Sequence, residues 1–160
     1  MKNNLRKSLK SGFTLIELLI VVAIIGILAT LLTVVLGTAR NKGNDAGIQE
    51  NLRNANAQAE IFWNTNTAVP NSYTNVCENV AQVGGVNTIS LFMLNAANDS
   101  GLSDYTVDGT GTLTTATCND SADAWAAEVP LRSISGMWCV DESGKSKVES
   151  TSIGTGTACN

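Results

Sequence analysis

The stretch KSGFTLIELLIVVAIIGILATLL, Lys10–Leu32, decides the fold of this chain. From Phe13 to Leu36 the sequence is nearly continuous apolar residues, and these 24 positions exceed the roughly 20 residues that a helix needs to cross the hydrocarbon core of a membrane. The exception is Glu17, a carboxylate close to the start of the run. The stretch therefore predicts a membrane-spanning helix that carries a single charge.

A short basic leader precedes the apolar run. Residues 1–12 contain Lys2, Arg6, Lys7 and Lys10 and no acidic residue. Basic residues beside an apolar span mark the cytoplasmic side of a membrane. The run is longer than the apolar region of a secretory signal peptide, and no convincing small-residue cleavage site follows it. We therefore expect a single-pass anchor whose N-terminus lies in the cytoplasm.

The carboxylate of Glu17 has two interpretations. A charge inside a membrane costs about 2.5 kcal/mol or more at the centre, and less near the interface. Glu17 could reach the headgroups and interact with the positive N-terminal end of its own helix. Alternatively it has a partner and a function, as charged residues in membrane helices usually do. Taken alone, the position of Glu17 leaves both interpretations open.

The neighbourhood of Glu17 favours the second interpretation. The sequence Lys10–Glu17, KSGFTLIE, followed by an apolar run, resembles the N-terminal signal of type IV pilins and of the pseudopilins of type II secretion systems. The resemblance implies that a prepilin peptidase cleaves the bond between Gly12 and Phe13 on the cytoplasmic side. It also implies that Phe13 becomes an N-methylated first residue. Glycine suits a tight protease cleft because it has no side chain.

The same resemblance gives Glu17 a role in assembly. An amine and a carboxylate are both costly in an apolar environment unless they are paired. In the family, the carboxylate that matches Glu17 pairs with the N-terminal amine, here that of Phe13, of a neighbouring subunit. The implied partners are other pilin subunits, the prepilin peptidase, an inner-membrane assembly platform and, before assembly, membrane lipid. Pilins often carry a proline in the membrane half of this helix, whereas the first proline here is Pro70.

The helix is expected to continue far beyond the membrane span. A stripe of apolar residues recurs at spacings of three and four, which is typical of a helix face packed on a core: Ile48, Leu52, Ala55, Ala59 and Phe62. We predict one helix from about Phe13 to about Trp63, with weak points near Gly26 and between residues 37 and 47, where glycines lower helix propensity. The expected segments are a cleaved leader (1–12), a transmembrane and assembly helix (13–36), the amphipathic half of the same helix (37–63) and a globular head (64–160).

The head is predicted to be mixed in structure. Residues 64–77 have the composition of a loop, and residues 87–101 read as a short helix that Gly101 can end. From Tyr105 the sequence is rich in β-branched residues, with a turn signal at Asp108–Gly109. The chain is therefore expected to be α+β, with a small antiparallel sheet of three to four strands packed on the second half of the long helix. This arrangement is the pilin fold that the resemblance implies.

Four cysteines lie beyond the anchor: Cys77, Cys118, Cys139 and Cys159. The chain has no histidine and no Cys-x-x-Cys spacing, so a zinc site would need all four thiolates in an unusual arrangement. Two disulfides are the better interpretation, and they indicate an oxidising compartment outside the cytoplasm. Four cysteines permit three pairings. We favour Cys77–Cys118 and Cys139–Cys159, while the sequence leaves the other two pairings open.

The sequence offers no catalytic set. Histidine, a nucleophile elbow and a phosphate-binding loop are all lacking, so we expect neither an enzyme nor a cofactor. Carboxylates occur in loop-rich sequence, and some major pseudopilins bind calcium in C-terminal loops, but no calcium-loop pattern appears: Asp104, Asp108, Asp120, Asp123, Asp141 and Glu142. We interpret them as surface groups and expect no metal, with a calcium site as the alternative. Beyond the leader six basic residues face fourteen acidic ones, which argues against bulk nucleic-acid binding.

Three functions compete. The favoured one is a structural subunit of a type IV pilus that polymerises through its N-terminal helix into a surface filament for adhesion, motility or DNA uptake. The alternative is a pseudopilin of a type II secretion system. A single-pass anchored enzyme or binding domain is the distant third, because it leaves the Gly12-Phe13-Glu17 arrangement unexplained. We expect the subunit in the cytoplasmic membrane before assembly and outside the cell afterwards, since two disulfides suit an exposed head.

Overall fold

The computed structural model describes residues 12–160, with Thr33 and Val34 described by their backbone only. The leader residues 1–11, which include all four predicted leader cations, lie outside the described residues. One helix, α1 (Leu15–Thr65), runs for 51 residues. The chain forms two compact units that divide between Thr38 and Ala39. The prediction of one long N-terminal helix is confirmed.

A second helix and seven strands follow α1. The first strands form a small hairpin, β1 (Gln82–Val83) with β2 (Val86–Asn87). Helix α2 (Ser90–Ser100) comes next and ends at Gly101, whose φ of 90° lies in the left-handed region. The remaining strands are β3 (Thr106–Val107), β4 (Thr117–Asp120), β5 (Trp125–Pro130), β6 (Met137–Asp141) and β7 (Ser146–Glu149).

The last five strands form one sheet in the order β3-β4-β5-β6-β7. Strands β4 to β7 are antiparallel neighbours, and the α+β class is confirmed. The sheet has more strands than the three to four expected, and β3 pairs with β4 in parallel, with Thr106 opposite Thr117. Asp108 does turn the chain, with φ of 45°. Its N–H, however, donates to the carbonyl of Cys118 at 3.0 Å, which continues the parallel pairing. The loop after β3 therefore leads the chain back beside the start of β3, and no hairpin forms.

The core lies between the second half of α1 and the sheet. The whole predicted stripe of α1 is fully buried, which confirms that this face packs on a core: Ile48, Leu52, Ala55, Ala59 and Phe62. Across from it the sheet contributes Trp125, Ala127, Val129 and Val140, and α2 contributes Met93. Burial of each larger side chain stabilises the fold by roughly 1.5–3 kcal/mol. This buried face is therefore the main reason that the second half of α1 packs on the sheet.

Polar side chains also tie α1 to the head. The amide of Asn56 donates to the carbonyl of Asp141 at 2.9 Å, and that of Gln58 donates to the carbonyl of Asn87 at 2.8 Å. The buried carboxylate of Asp45 accepts from the backbone N–H groups of the β5–β6 loop, as described below. The head is therefore fixed along α1 at several levels, from residue 45 to residue 58.

The glycines of α1 differ in their surroundings. A β-carbon at Gly47 would lie 2.5 Å from the carboxylate oxygen of Asp99, so a larger residue there would displace the Asp99 side chain of α2. At Gly37 and Gly43 nothing lies within 4 Å of such a β-carbon. Each of these two glycines weakens the helix by roughly 1 kcal/mol relative to alanine without a packing reason.

Candidate functional site

The N-terminal part of α1 has an apolar surface. Its large apolar side chains from Phe13 to Leu36, where described, are between 46% and 81% exposed. This part of α1 is long and apolar enough to cross a membrane, by length and composition, and none of that window is buried in the protein. Exposed apolar patches of this size mark membrane or protein contacts, and no described residue buries this one, so the segment is expected to contact lipid or another protein.

The predicted cleavage bond lies just before the helix. Gly12, Phe13 and Thr14 are exposed and precede α1, which begins at Leu15. A β-carbon at Gly12 would meet nothing within 4 Å. The bond between Gly12 and Phe13 therefore lies in an exposed segment outside the helix, where a protease can reach the backbone.

Glu17 forms a capping box with Thr14. The carboxylate oxygen Oε2 of Glu17 accepts from the backbone N–H of Thr14 at 2.8 Å and from its hydroxyl at 2.6 Å. In return, the N–H of Glu17 donates to the hydroxyl of Thr14 at 3.3 Å. This reciprocal pattern satisfies N–H groups that a helix start leaves without partners.

The capping box places the negative charge at the start of α1. A carboxylate there also interacts favourably with the positive end of the helix dipole. Thr14 was not among the predicted site residues, although a threonine three residues before a glutamate and ahead of an apolar run is the signal for this motif. Within the described residues, Glu17 has no basic partner, and its hydrogen bonds come from Thr14 at its own helix terminus.

The head contains two disulfides. Cys77 is joined to Cys118, with the Cα atoms 5.5 Å apart, and Cys139 is joined to Cys159, with the Cα atoms 5.9 Å apart. These are the two pairs that the sequence favoured. The first ties the loop after α1 to β4, and the second ties the segment after β7 to β6, so both long irregular segments are fixed to the sheet.

The loop after α1 is also held by a carboxylate. Asp120 accepts from the N–H groups of Asn75 at 2.9 Å and Cys77 at 2.8 Å. Burial raises the pKa of Asp120 to about 6, against the two hydrogen bonds that lower it, and the nearby charges of Asp108 and Glu78 add to the increase. Asp120 was expected to be a surface group, but it joins two elements.

A second carboxylate holds the end of the chain. Asp141 accepts from the hydroxyl of Ser143 at 2.7 Å, from the N–H of Lys145 at 3.2 Å and from the N–H of Cys159 at 2.9 Å. Burial alone would raise the pKa of Asp141, but these hydrogen bonds and the Lys145 charge outweigh it and hold the pKa below its usual value. The fully buried Glu128 acts similarly, because it accepts from the N–H of Ile153 at 3.0 Å.

The positions of the carboxylates can be compared with the calcium site that was the alternative interpretation. Among residues 12–160 no group of three or more histidine, cysteine or acidic side chains is arranged to hold a metal ion. Asp108, Asp120 and Asp141 accept hydrogen bonds from the backbone of neighbouring loops instead. The acidic residues therefore act mainly as loop anchors.

Residues 7–33 match the model of the prokaryotic N-terminal methylation motif. No curated protein and no solved structure matches the chain. The matched segment includes Gly12, Phe13, Thr14 and Glu17, and it ends within the apolar part of α1. The motif, the exposed apolar helix start and the sheet packed on the second half of α1 together support a type IV pilin-like prepilin.

Proposed function

We propose that this chain is the structural subunit of a type IV pilus. A prepilin peptidase cleaves the bond between Gly12 and Phe13, and Phe13 is then N-methylated. The subunit waits in the cytoplasmic membrane with its N-terminus on the cytoplasmic side. An assembly platform in that membrane then adds it to a filament whose core consists of the N-terminal segments of α1.

The observation that carries the proposal is the combination of apolar exposure and one charge in the first turn of α1. A segment whose large apolar side chains all face outward is stable in lipid or against copies of itself. Glu17 is tolerable in lipid because Thr14 and the helix terminus satisfy it. In an apolar filament core, the new amine of a neighbouring Phe13 supplies the positive partner that Glu17 lacks among residues 12–160.

A pilus outside the cell suits the head better than a short pseudopilus in the envelope. Two disulfides and several buried carboxylate contacts hold the irregular segments after α1 and after β7. Such crosslinks are typical of proteins exposed in oxidising surroundings. A pseudopilin remains the second candidate, since it shares the methylation motif and the fold.

Mass spectrometry of filaments sheared from the cell surface tests the proposal. We expect a chain that begins at N-methylated Phe13. Its mass should be lower than that of the reduced chain by four hydrogen atoms, because two disulfides form. A chain found only in the cell envelope, together with a secretion defect on its deletion, would support the pseudopilin instead. A chain that keeps residues 1–12 would contradict both.

Glu17→Gln tests the assembly role. The amide keeps the size of the side chain and can still accept from Thr14, so we expect processing at Gly12 to continue while the yield of filaments falls sharply. Glu50→Gln is the matched control, because Glu50 is exposed and pairs only with Arg53 on the surface of α1. Filaments of normal yield and length from the Glu17→Gln variant would refute the role of this carboxylate.

A further inference from the structure

We propose that the head of one copy docks onto the head of the next copy through two different surfaces of the unit formed by residues 39–160. The first, the basal surface, consists of Lys42, Arg132 and Ile134. The second, the upper groove, is an apolar groove beside α2 with Glu78 and Asp104 at its rim. The inference rests on the proposed function and names the contact between heads that would accompany packing of the N-terminal helices.

The basal surface carries an apolar side chain on a fixed loop. Ile134 is 51% exposed in the loop between β5 and β6. The buried carboxylate of Asp45 holds this loop to α1, because it accepts from the N–H of Arg132 at 2.6 Å, from the N–H of Ser133 at 3.0 Å and from the Ser133 hydroxyl. The loop is thus ordered before any partner arrives, which lowers the entropic cost of binding.

The basal surface is also basic. Lys42 is exposed one turn before Asp45 on α1, and it forms no ion pair within residues 12–160. The guanidinium of Arg132 lies 3.5 Å from the carbonyl of Asp99 and is likewise unpaired with a carboxylate in the described part of the chain. Two of the six basic residues beyond the leader, Lys42 and Arg132, therefore lie beside Asp45, which holds the loop that carries Ile134.

The upper groove has a volume of about 410 Å³ and lies between α1, α2 and the β1–β2 region. Its apolar lining includes Val80, Leu91 and Phe92, and Leu91 is 63% exposed. Gln58 of α1 forms part of the wall. The groove is large enough for an isoleucine side chain with the flanking loop backbone, and exposed apolar surface of this kind favours a protein partner.

The rim of the upper groove is acidic. Glu78 precedes the lining residue Asn79, whose amide donates to the carboxylate of Asp104 at 3.2 Å. Neither Glu78 nor Asp104 forms an ion pair among residues 12–160. The groove thus offers an apolar centre with negative charge beside it, whereas the basal surface offers an apolar side chain with positive charge beside it. This complementarity identifies a second copy of the chain as the occupant.

The two surfaces lie at different levels of α1. Asp45 marks the level of the basal surface and Gln58 marks that of the upper groove, and thirteen residues of helix correspond to roughly 20 Å. A contact between two different surfaces that are offset along an axis is heterologous, and it continues from copy to copy without closing. The geometry therefore fits an open filament and disfavours a closed dimer.

Paired cysteine substitutions in the full-length chain test the docking. Filaments are sheared from cells that express Ile134→Cys together with Leu91→Cys in the same chain, then oxidised mildly and separated on a non-reducing gel. We expect a ladder of covalent multimers, because each copy would crosslink to the next. The control combines Ile134→Cys with Ser146→Cys, which is exposed at the start of β7 and belongs to neither surface, and we expect no ladder from it.

The outcomes separate the docking from the proposed function. Filaments that form but give no ladder, or the same ladder as the control, overturn the docking and leave the pilin proposal intact. Dimers that are crosslinked through Ile134→Cys alone show an isologous contact and also overturn it. If the unsubstituted chain forms no filament of any kind, the proposed function fails and the docking fails with it.

A charge reversal provides a second test that leaves the apolar contact in place. With the cysteine pair present, Arg132→Glu should lower the crosslinking yield by roughly tenfold, because it places like charges across the contact. Adding Asp104→Arg to the same chain should restore the yield, since the charges are then exchanged. A yield that is unchanged by Arg132→Glu, or not restored by Asp104→Arg, would contradict the proposed orientation.

Discussion

Replacing Asp45 with asparagine should destabilise the head and loosen the β5–β6 loop. Asp45 is buried on α1, and its two carboxylate oxygens accept three hydrogen bonds from a loop nearly ninety residues later in the chain, with the sequence separations 87 and 88. Two of the donors are backbone N–H groups, which cannot turn away. The change to asparagine keeps the size of the side chain but turns one of the two acceptors into a donor.

The magnitude follows from the contacts. In Asp45→Asn one N–H group of the loop faces an amide NH₂ group and loses its acceptor, and a hydrogen bond to a charged group contributes about 1.5–3 kcal/mol. The Ser133 hydroxyl can rotate to accept instead, so its contact survives. We expect the free energy of unfolding to fall by about 2–3 kcal/mol, and by about 4 kcal/mol in Asp45→Ala, where all three hydrogen bonds are lost. For a unit of this size the Tm should fall by roughly 10 °C in Asp45→Asn.

Thermal unfolding of the detergent-solubilised full-length chain, followed by circular dichroism, measures the effect. Asp123→Asn is the matched control, because Asp123 is an exposed carboxylate in a turn of the head. It should change the Tm by less than about 2 °C. If Asp45→Asn lowers the Tm no more than Asp123→Asn does, the carboxylate of Asp45 does not hold the β5–β6 loop. The loop that carries Ile134 would then not be ordered by this contact.

Three further predictions concern the core, the pH dependence and the C-terminal disulfide. Leu52→Ala should lower the free energy of unfolding by about 2–5 kcal/mol in urea titrations, because it opens a cavity in a fully buried stripe, and a loss below 1 kcal/mol would place Leu52 outside the core. Because the pKa of Asp120 is raised from 3.8 to about 6 on folding, its contribution to stability is full below pH 4 and is lost as the pH rises through 6. Urea titrations should therefore show that the free energy of unfolding falls less between pH 4 and pH 7 in Asp120→Asn than in the unsubstituted chain. An equal fall in both proteins would contradict the burial of this carboxyl. Replacing Cys139 and Cys159 together by serine should cost about 3 kcal/mol, since their disulfide closes a loop with a sequence separation of 20, and an unchanged Tm would show that hydrogen bonds alone hold this segment.

The long helix and its buried face could be predicted because their signals are local. Apolar residues at spacings of three and four mark a helix face, and the spacing of Ile48, Leu52 and Phe62 lies within a single element. The membrane-length run and the charge at Glu17 are likewise contiguous in sequence. The contact of Glu17 with Thr14 could also have been predicted, because a threonine three residues before a glutamate is the local signal of a capping box.

The contacts that shape the head lie between distant parts of the chain. No local pattern relates Asp45 to the loop at Ser133, or Asp120 to the N–H of Cys77, since either carboxylate on its own reads as a solvated surface group. The parallel pairing of β3 with β4 was hidden for a similar reason. The Asp108–Gly109 signal predicts a turn but not where the chain goes afterwards, and β3 is only two residues long.

The open surroundings of Gly37 and Gly43 have a mechanical consequence. A helical residue advances the chain by about 1.5 Å and an extended one by about 3.3 Å, so converting the seven residues from 37 to 43 would lengthen the chain by roughly 13 Å. Two glycines lower the work needed for this conversion, and no side chain packed against them must be displaced. Under a pulling force, this stretch should yield before the buried stripe does, and the subunit should absorb load as reversible extension. Alanine at both positions would stabilise the helix and make this extension harder. Single-molecule stretching should therefore require a higher force to extend the alanine variant than to extend the unsubstituted chain.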